Sequence, residues 1–372
     1  MNKEQKFAEK LIDFIDASHS SFHATKNVEE ILIKEGFEKI ELKDKWKLKK
    51  EGRYYVTKNS SAIIGFIIGK GEIEDDGFRI VGAHTDSPTF RIKPDPEITV
   101  AGKYLKLNTE VYGGPILSTW FDRPLSMAGR VSVKTQNPLK PKEVLIDMEK
   151  PIMIIPNLAI HMNRKVNEGI KINPQIDTLP LLSTINDKFE KENFIMELIA
   201  ENIGIKTEDI LDFELYLYSV EKGALIGLNE EFISIGRLDD LAMVHAGLYG
   251  LVDSKIGNAT NILVCFDNEE VGSTTKQGAA SPMLRSILER IAIAMGKDKE
   301  GYYRGLSNSF LISSDMAHSI HPNYMGKQDL TNRPAINGGP VIKIAASQSY
   351  TSDSSSSAVY EGICRSEEHT SE

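Results

Sequence analysis

Four stretches of the chain bring together side chains that hold metal ions or move protons. The first, Gly82-Ala83-His84-Thr85-Asp86-Ser87-Pro88, follows an apolar run. Residues two apart on extended chain face the same side, so His84 can ligate a metal while Asp86 orients its ring. A surface histidine beside a turn accounts for the same letters. The second, Ile235-Gly236-Arg237-Leu238-Asp239-Asp240-Leu241, opens a predicted helix. An Asp there either caps free amides and suits the helix dipole or, as Asp239, bridges two cations. The third, Val264-Cys265-Phe266-Asp267-Asn268-Glu269-Glu270-Val271-Gly272-Ser273, runs a strand straight into carboxylates. Crowded carboxylates repel, and keeping them together is costly unless a cation or a proton compensates. Adjacent glutamates tend to face opposite ways, so one can ligate metal while the other handles protons. In the fourth, an apolar run at 310–313 leads to Asp315, with His318 and His321 close behind. Those two histidines either share one helical face or sit in a loop.

His84, Glu269, Glu270 and Asp315 each follow an apolar strand, and in open α/β sheets ligands bind outside the carboxyl ends of the strands. An imidazole and several carboxylates gathered there, with no thiolate, suit a pair of divalent ions. Two such ions about 3.5–4 Å apart activate a water and hold the oxygens of a substrate carbonyl, with a nearby free Glu as general base. The chemistry is hydrolysis of an amide or an ester.

The elements that must position these residues are legible in the apolar pattern. Phe7, Leu11, Phe14 and Ile15 recur at helical spacing, and a second helix is predicted over 24–34. Apolar runs at 62–68 and 78–83 read as strands. From Pro94 to about Phe232 the texture changes to short β segments (104–107, 130–133, 213–220) broken by Pro and Gly, with one helical patch at 194–203. After Gly236 helix and strand alternate again: 238–251 helix, 261–266 strand, 282–295 helix, 310–313 strand. The expected fold is therefore α/β, a central mixed sheet flanked by helices, assigned to residues 1–93 and 233–364 and interrupted by an inserted β-rich domain over 94–232. The Ser/Thr-rich stretch 347–357 reads as a loop.

Composition bounds the partners. The 372 residues carry 44 basic and 53 acidic side chains, a net charge of −9; a nucleic-acid binder would present a basic face instead. Cys265 and Cys364 are the only cysteines, too few for a disulfide scaffold and in keeping with a reducing compartment. No apolar run reaches membrane-spanning length and no secretory h-region opens the chain, so a cytoplasmic, soluble protein is expected. Trp46, Trp120, Cys265, His19, His23 and His245 read as packing or ordinary polar residues.

In order along the chain, these stretches resemble the M18 family of aminopeptidases, whose best-known members are aspartyl aminopeptidases. The resemblance runs from about Phe7 to Cys364 and also includes Thr119-Trp120-Phe121-Asp122-Arg123 and Ile155-Pro156-Asn157-Leu158-Ala159-Ile160-His161-Met162-Asn163-Arg164. It implies that His84, Asp239 and Asp315 hold one metal, with Asp239 bridging to a second held by Glu270. It implies further that Glu269 is the general base and Asp86 the partner of His84. His161 matches a histidine that family assemblies place near a neighbouring subunit's active site. The family resembles other dinuclear zinc exopeptidases in fold and assembles as a hollow dodecamer, so two divalent ions (zinc, with cobalt or manganese tolerated), homo-oligomers and peptides with a free N-terminus are the implied cofactors and partners.

Two departures from the family pattern carry expectations of their own. Aspartyl-specific members read Gln-Arg-Tyr where this chain has Gln348-Ser349-Tyr350; without that cation for a substrate carboxylate, a broad or neutral-residue specificity is expected, the alternative being an aspartyl- or glutamyl-specific enzyme. Family members also continue beyond Cys364 to a Met-His-Ser segment with the second metal's last ligand. The tail Arg365-Ser366-Glu367-Glu368-His369-Thr370-Ser371-Glu372 resembles a translated sequencing adapter and is expected to be artefactual, and His369 is not expected to replace the missing ligand. On that reading the chain keeps one metal set, exposes a sheet edge, and is poorly soluble and weakly active, or serves as a non-catalytic assembly subunit.

Overall fold

Alternation of buried side chains decides the layering. The structure, a computed structural model, describes residues 2–185 and 193–368; His369 lies outside them. In chain order the elements are α1 (Lys3–Asp16), α2 (Ser21–Lys34), β1 (Glu38–Lys39), β2 (Arg53–Lys58), β3 (Ala62–Ile67), α3 (Ile73–Asp76), β4 (Phe78–His84), β5 (Thr89–Val100), β6 (Tyr104–Tyr112), β7 (Pro124–Val133), β8 (Lys142–Asp147), β9 (Met153–Ile154), β10 (Leu181–Thr184), α4 (Phe194–Ile203), β11 (Ile210–Ser219), β12 (Ala224–Ile226), β13 (Phe232–Ser234), α5 (Leu238–Val252), β14 (Thr260–Phe266), α6 (Met283–Ala294), α7 (Lys299–Ser307), β15 (Phe310–Ser313) and α8 (Ser354–Glu368). The chain divides into two compact units, Met1–Asp315 and Met316–Glu372.

In the first unit, six strands form a mixed sheet in the order β1-β2-β3-β14-β4-β15. All six residues of β3 are buried, which requires cover on both faces. Ile64 and Phe66 join Ile80, Ile262 and Val264 beneath α6 and α7, through Ile287, Ile291 and Tyr302. Ile63 and Ile67 join Leu263 and Cys265 on the other face, beneath α1, α2 and α5. Cys265 is fully buried and its thiol is pushed up by that burial, so it packs as an apolar residue. At Gly65 an added Cβ would lie 3.1 Å from Leu251 and 3.2 Å from Leu32, so the glycine lets two helices approach one strand.

Residues 89–219 supply a second sheet of seven strands, β11-β5-β6-β10-β9-β7-β8, with β11 also pairing β7. Its core (Phe90, Leu107, Leu125, Met127, Leu215, Leu217) is closed by Ile195 and Ile199 of α4. Arg130 on β7, held within this sheet by Glu214 of β11 at 2.6 Å, ties it to the first sheet's elements: the guanidinium donates to Asn59 O at 3.0 Å and stacks over Phe22 of α2 at 4.5 Å.

The second unit contains α8 and little other regular structure. One expectation fails there, and one pair of alternatives is decided. The 347–357 stretch is not loop throughout, because Asp353 accepts the Ser356 N–H at 2.7 Å and starts α8 at Ser354. Residues 314–324 are not helical, so His318 and His321 share no helical face; His321 Nδ1 instead accepts the Asn323 N–H at 3.1 Å.

His245 of α5 lies among Phe7, Phe14 and Tyr249, with a buried Nε2 that has no hydrogen-bond partner. Burial, helped by Lys10, lowers its pKa to about 4. The unfolded chain takes that proton near pH 6.5, so stability is lost as pH falls from there toward 4. His245→Leu removes the titration and is expected to gain roughly 2 kcal/mol on the parent between pH 7 and pH 5. Urea midpoints at the two pH values test this; a difference that does not change with pH rules it out.

Candidate active site

The site is assembled by strand direction. β14 runs parallel to β4 with Phe266 opposite His84, and β15 runs parallel to β4 with Ser313 opposite Gly82. Three adjacent strands thus end at one edge of the sheet, and the residues that follow them emerge side by side. His84 ends β4, Glu269 and Glu270 begin the short turn after β14, and Asp315 follows β15. Asp239 and Asp240 come from the entrance to α5, where both depart from helical geometry (φ −82°, ψ 109° and φ −120°, ψ 21°). They do not act as the first turn of a capped helix: Asp240 Oδ2 accepts the backbone N–H of His84 at 3.1 Å.

Two groups of donor atoms result, each within 4.8 Å: His84, Asp239, Asp240 and Asp315, and His84, Glu269 and Glu270. His84 belongs to both. Its Nε2 lies 3.4 Å from Asp239 Oδ1 and 3.9 Å from Glu269 Oε2. Its Nδ1 faces Asp86, 3.1 Å from the carbonyl and 3.3 Å from Oδ1. A ring whose Nδ1 donates to a carbonyl or carboxylate presents the Nε2 lone pair outward, the tautomer a metal requires. Asp86 is itself held: Oδ1 accepts the Glu269 N–H at 3.1 Å, and Oδ2 accepts the Glu270 N–H at 3.2 Å and the Tyr112 hydroxyl at 2.7 Å.

The electrostatics are those of a site built around positive charge. Burial opposes protonation of His84, but Asp239, Asp86 and Asp240 overcome it and raise the imidazole to about 11. Burial, with Asp315 and Asp239, raises Asp240 to about 8 despite His84. Glu270 rises to about 7 through burial and the charges of Asp239, Asp86 and Glu269. Asp240 is fully buried and its Oδ1 has no hydrogen-bond partner. One imidazole, several oxygens, no thiolate and an orphaned buried carboxylate oxygen fit a divalent ion such as Zn²⁺.

His84, Asp239, Glu269, Glu270 and Asp315 meet, and Asp86 lies behind them. His161 sits on an exposed turn and belongs to neither group. Sequence reading passed over Asp240, whose only signal is its adjacency to Asp239, and Tyr112, which comes from the other sheet. Trp46 packs in the core, and Trp120 meets Phe90 edge-on at 5.0 Å.

The family profile of the aminopeptidase I zinc metalloproteases (M18) matches residues 14–370. The probable M18 family aminopeptidase 2 of Clostridium novyi (strain NT) is 58% identical over 364 residues, covering 98% of this chain and 84% of that protein. A chain in the cryo-EM structure of the Ape4 and Nbr1 complex superposes with a TM-score of 0.92 at 34% identity, over 97% of this chain and 73% of that one. The S. cerevisiae mApe1 dodecamer gives 0.77 at 25% identity, over 90% and 77%. Family profile, sequence relative and mixed-sheet architecture agree: the chain belongs to the M18 family of zinc metalloprotease aminopeptidases.

Proposed function

We propose that this chain removes N-terminal residues from peptides at a pair of divalent ions, with broad or neutral-residue specificity. The observation that supports this best is the sharing of His84 between two donor groups that lie against one another. His84, Asp239 and Asp315 would hold one ion, Asp239 would bridge to the other, and Glu270 would ligate that second ion. Such ions supply Lewis acidity, acidifying water and polarising a peptide carbonyl. Glu269, more than half exposed at the rim of the group, would take the proton from the attacking water and return it to the departing amine. Asp86 keeps the His84 ring turned so that Nε2 faces the ions.

Ser349, in place of a family arginine, leaves that position without a cation for an acidic side chain. We assign residues 94–232 as an inserted assembly module in a homo-oligomer. Ile160 and Met162, 46% and 71% exposed on either side of His161, fit a surface covered by a second copy. Two free cysteines fit a cytoplasmic setting, and among the described residues no helix is long and apolar enough to cross a membrane.

Zinc titration combined with a panel of aminoacyl substrates, each with a free or acetylated amine, tests the proposal. One tightly held ion per chain, a second held more weakly, and slow cleavage of free-amine, neutral substrates are expected. Cleavage of the acetylated set would point to a deacylase or carboxypeptidase, a strong preference for Asp or Glu would overturn the specificity, and absence of bound zinc would favour a scaffold.

A further inference from the structure

We infer that Tyr112, the last residue of β6 in the second sheet, is a positioning residue for the metal centre. This rests on the reading of the His84 clusters as metal sites. The hydroxyl lies 2.7 Å from Asp86 Oδ2 and 2.8 Å from Asn268 Nδ2. A phenol has one proton, and the ionised carboxylate only accepts, so Tyr112 donates to Asp86 and accepts from Asn268. Asn268 has no other orientation open, since its Oδ1 already accepts from Thr275 and Gln277, both at 2.8 Å.

One oxygen therefore joins three segments: the end of β6, the loop after β4 and the loop after β14. Asp86 faces His84, and its two oxygens hold the N–H groups of Glu269 and Glu270. Moving Asp86 moves donors in both metal-binding groups. The next residue makes a second contact. Gly113 (φ +71°) lies so close to Glu270 that an added Cβ would be 3.0 Å from the Glu270 Cβ. The tip of β6 thus sits against Glu270 and is tethered to Asp86, coupling the second sheet to the geometry of the site. The hydrogen bonds of the Tyr112 hydroxyl go to Asp86 and Asn268, so it acts through Asp86. Losing an outer partner of a metal ligand costs about 10–100-fold in metal affinity or activity.

The test is Zn²⁺ affinity by chelator competition on the full chain, for the parent, Tyr112→Phe, Asp86→Ala and the double variant, with kcat and KM for the first two. Tyr112→Phe, one step further out than Asp86, is expected to weaken Zn²⁺ binding by about 10-fold, the lower end of the cost of losing an outer partner, and to lower kcat while leaving KM nearly unchanged. Its effect should vanish in the Asp86→Ala background, because nothing is left to position. Tyr216→Phe, whose ring stands edge-on to Tyr112 at 5.4 Å, should match the parent and serves as the control for loss of a hydroxyl. Should Tyr112→Phe not fold, Tyr112→Leu carries the same comparison. Parental affinity in the Tyr112 variant, or an undiminished effect without Asp86, overturns the inference and leaves the metal reading intact. A parent that binds no Zn²⁺ refutes that reading, and the inference falls with it.

Discussion

Replacing Glu269 by Gln is expected to lower kcat by roughly 10³-fold while zinc content stays at the parental level. The two adjacent glutamates share a backbone anchor, both N–H groups being held on Asp86 at 3.1 and 3.2 Å. Their side chains then meet different surroundings. Glu269 is 53% exposed, with Oε2 at 3.9 Å from His84 Nε2, so water and substrate reach it at the edge of the group. Glu270 is partly buried, and burial with three neighbouring carboxylates raises its carboxyl to about 7; that position favours a bound cation. A general base must lose activity when it can no longer accept a proton, and Gln keeps the shape while removing that capacity. Glu270→Gln is expected to do the reverse, losing zinc first and activity as a consequence. Zinc content and steady-state kinetics on both variants separate the roles. Full turnover by the Glu269 variant, or zinc loss equal to that of the Glu270 variant, would reverse the assignment.

Much of this arrangement is legible in the sequence because the sheet is buried on both faces. Apolar runs at 62–68, 78–83, 261–266 and 310–313 have the length of strands rather than helices, and all become neighbours in one sheet. The acidic residues after those runs reveal the sheet edge where the site lies. What escapes the sequence is whatever depends on a second segment arriving. β5 (Thr89–Val100) carries Pro94 and Pro96 and shifts register against β6 between Ile92 and Glu97, so no clean alternation marks it. Asp240 looks like a helix cap until the backbone turns its carboxylate toward the His84 amide. Tyr112 is 26 residues from Asp86 and on the other sheet, and a single tyrosine at a strand end carries no local signal. Ser354 to Ser357 read as low-complexity loop, yet one Asp at position 353 suffices to start a helix there.

His84→Ala is the second large effect, and it separates a metal centre from a merely acidic cleft. His84 supplies the sole nitrogen of both donor groups; its one free ring nitrogen would ligate one ion, and it lies 3.4 Å from Asp239, the carboxylate proposed to bridge to the other. It also removes the positive partner of Asp86 and Asp240, which are 4% and 0% exposed, leaving only carboxylates that repel one another. Activity is expected to fall more than about 100-fold, beyond the cost of losing an outer partner. Zinc should also cease to stabilise the fold. A ligand that binds only the native state adds about 2.7 kcal/mol when it stands a hundredfold above its Kd. The parent should therefore melt lower after chelation and recover when zinc is restored, whereas His84→Ala should melt at one temperature with or without zinc. An acidic cleft with no resident ion predicts a different pattern, in which the parent ignores the chelator and the variant differs from it equally under both conditions. Melting curves of the two proteins, with chelator and with zinc, distinguish these outcomes without reference to any substrate.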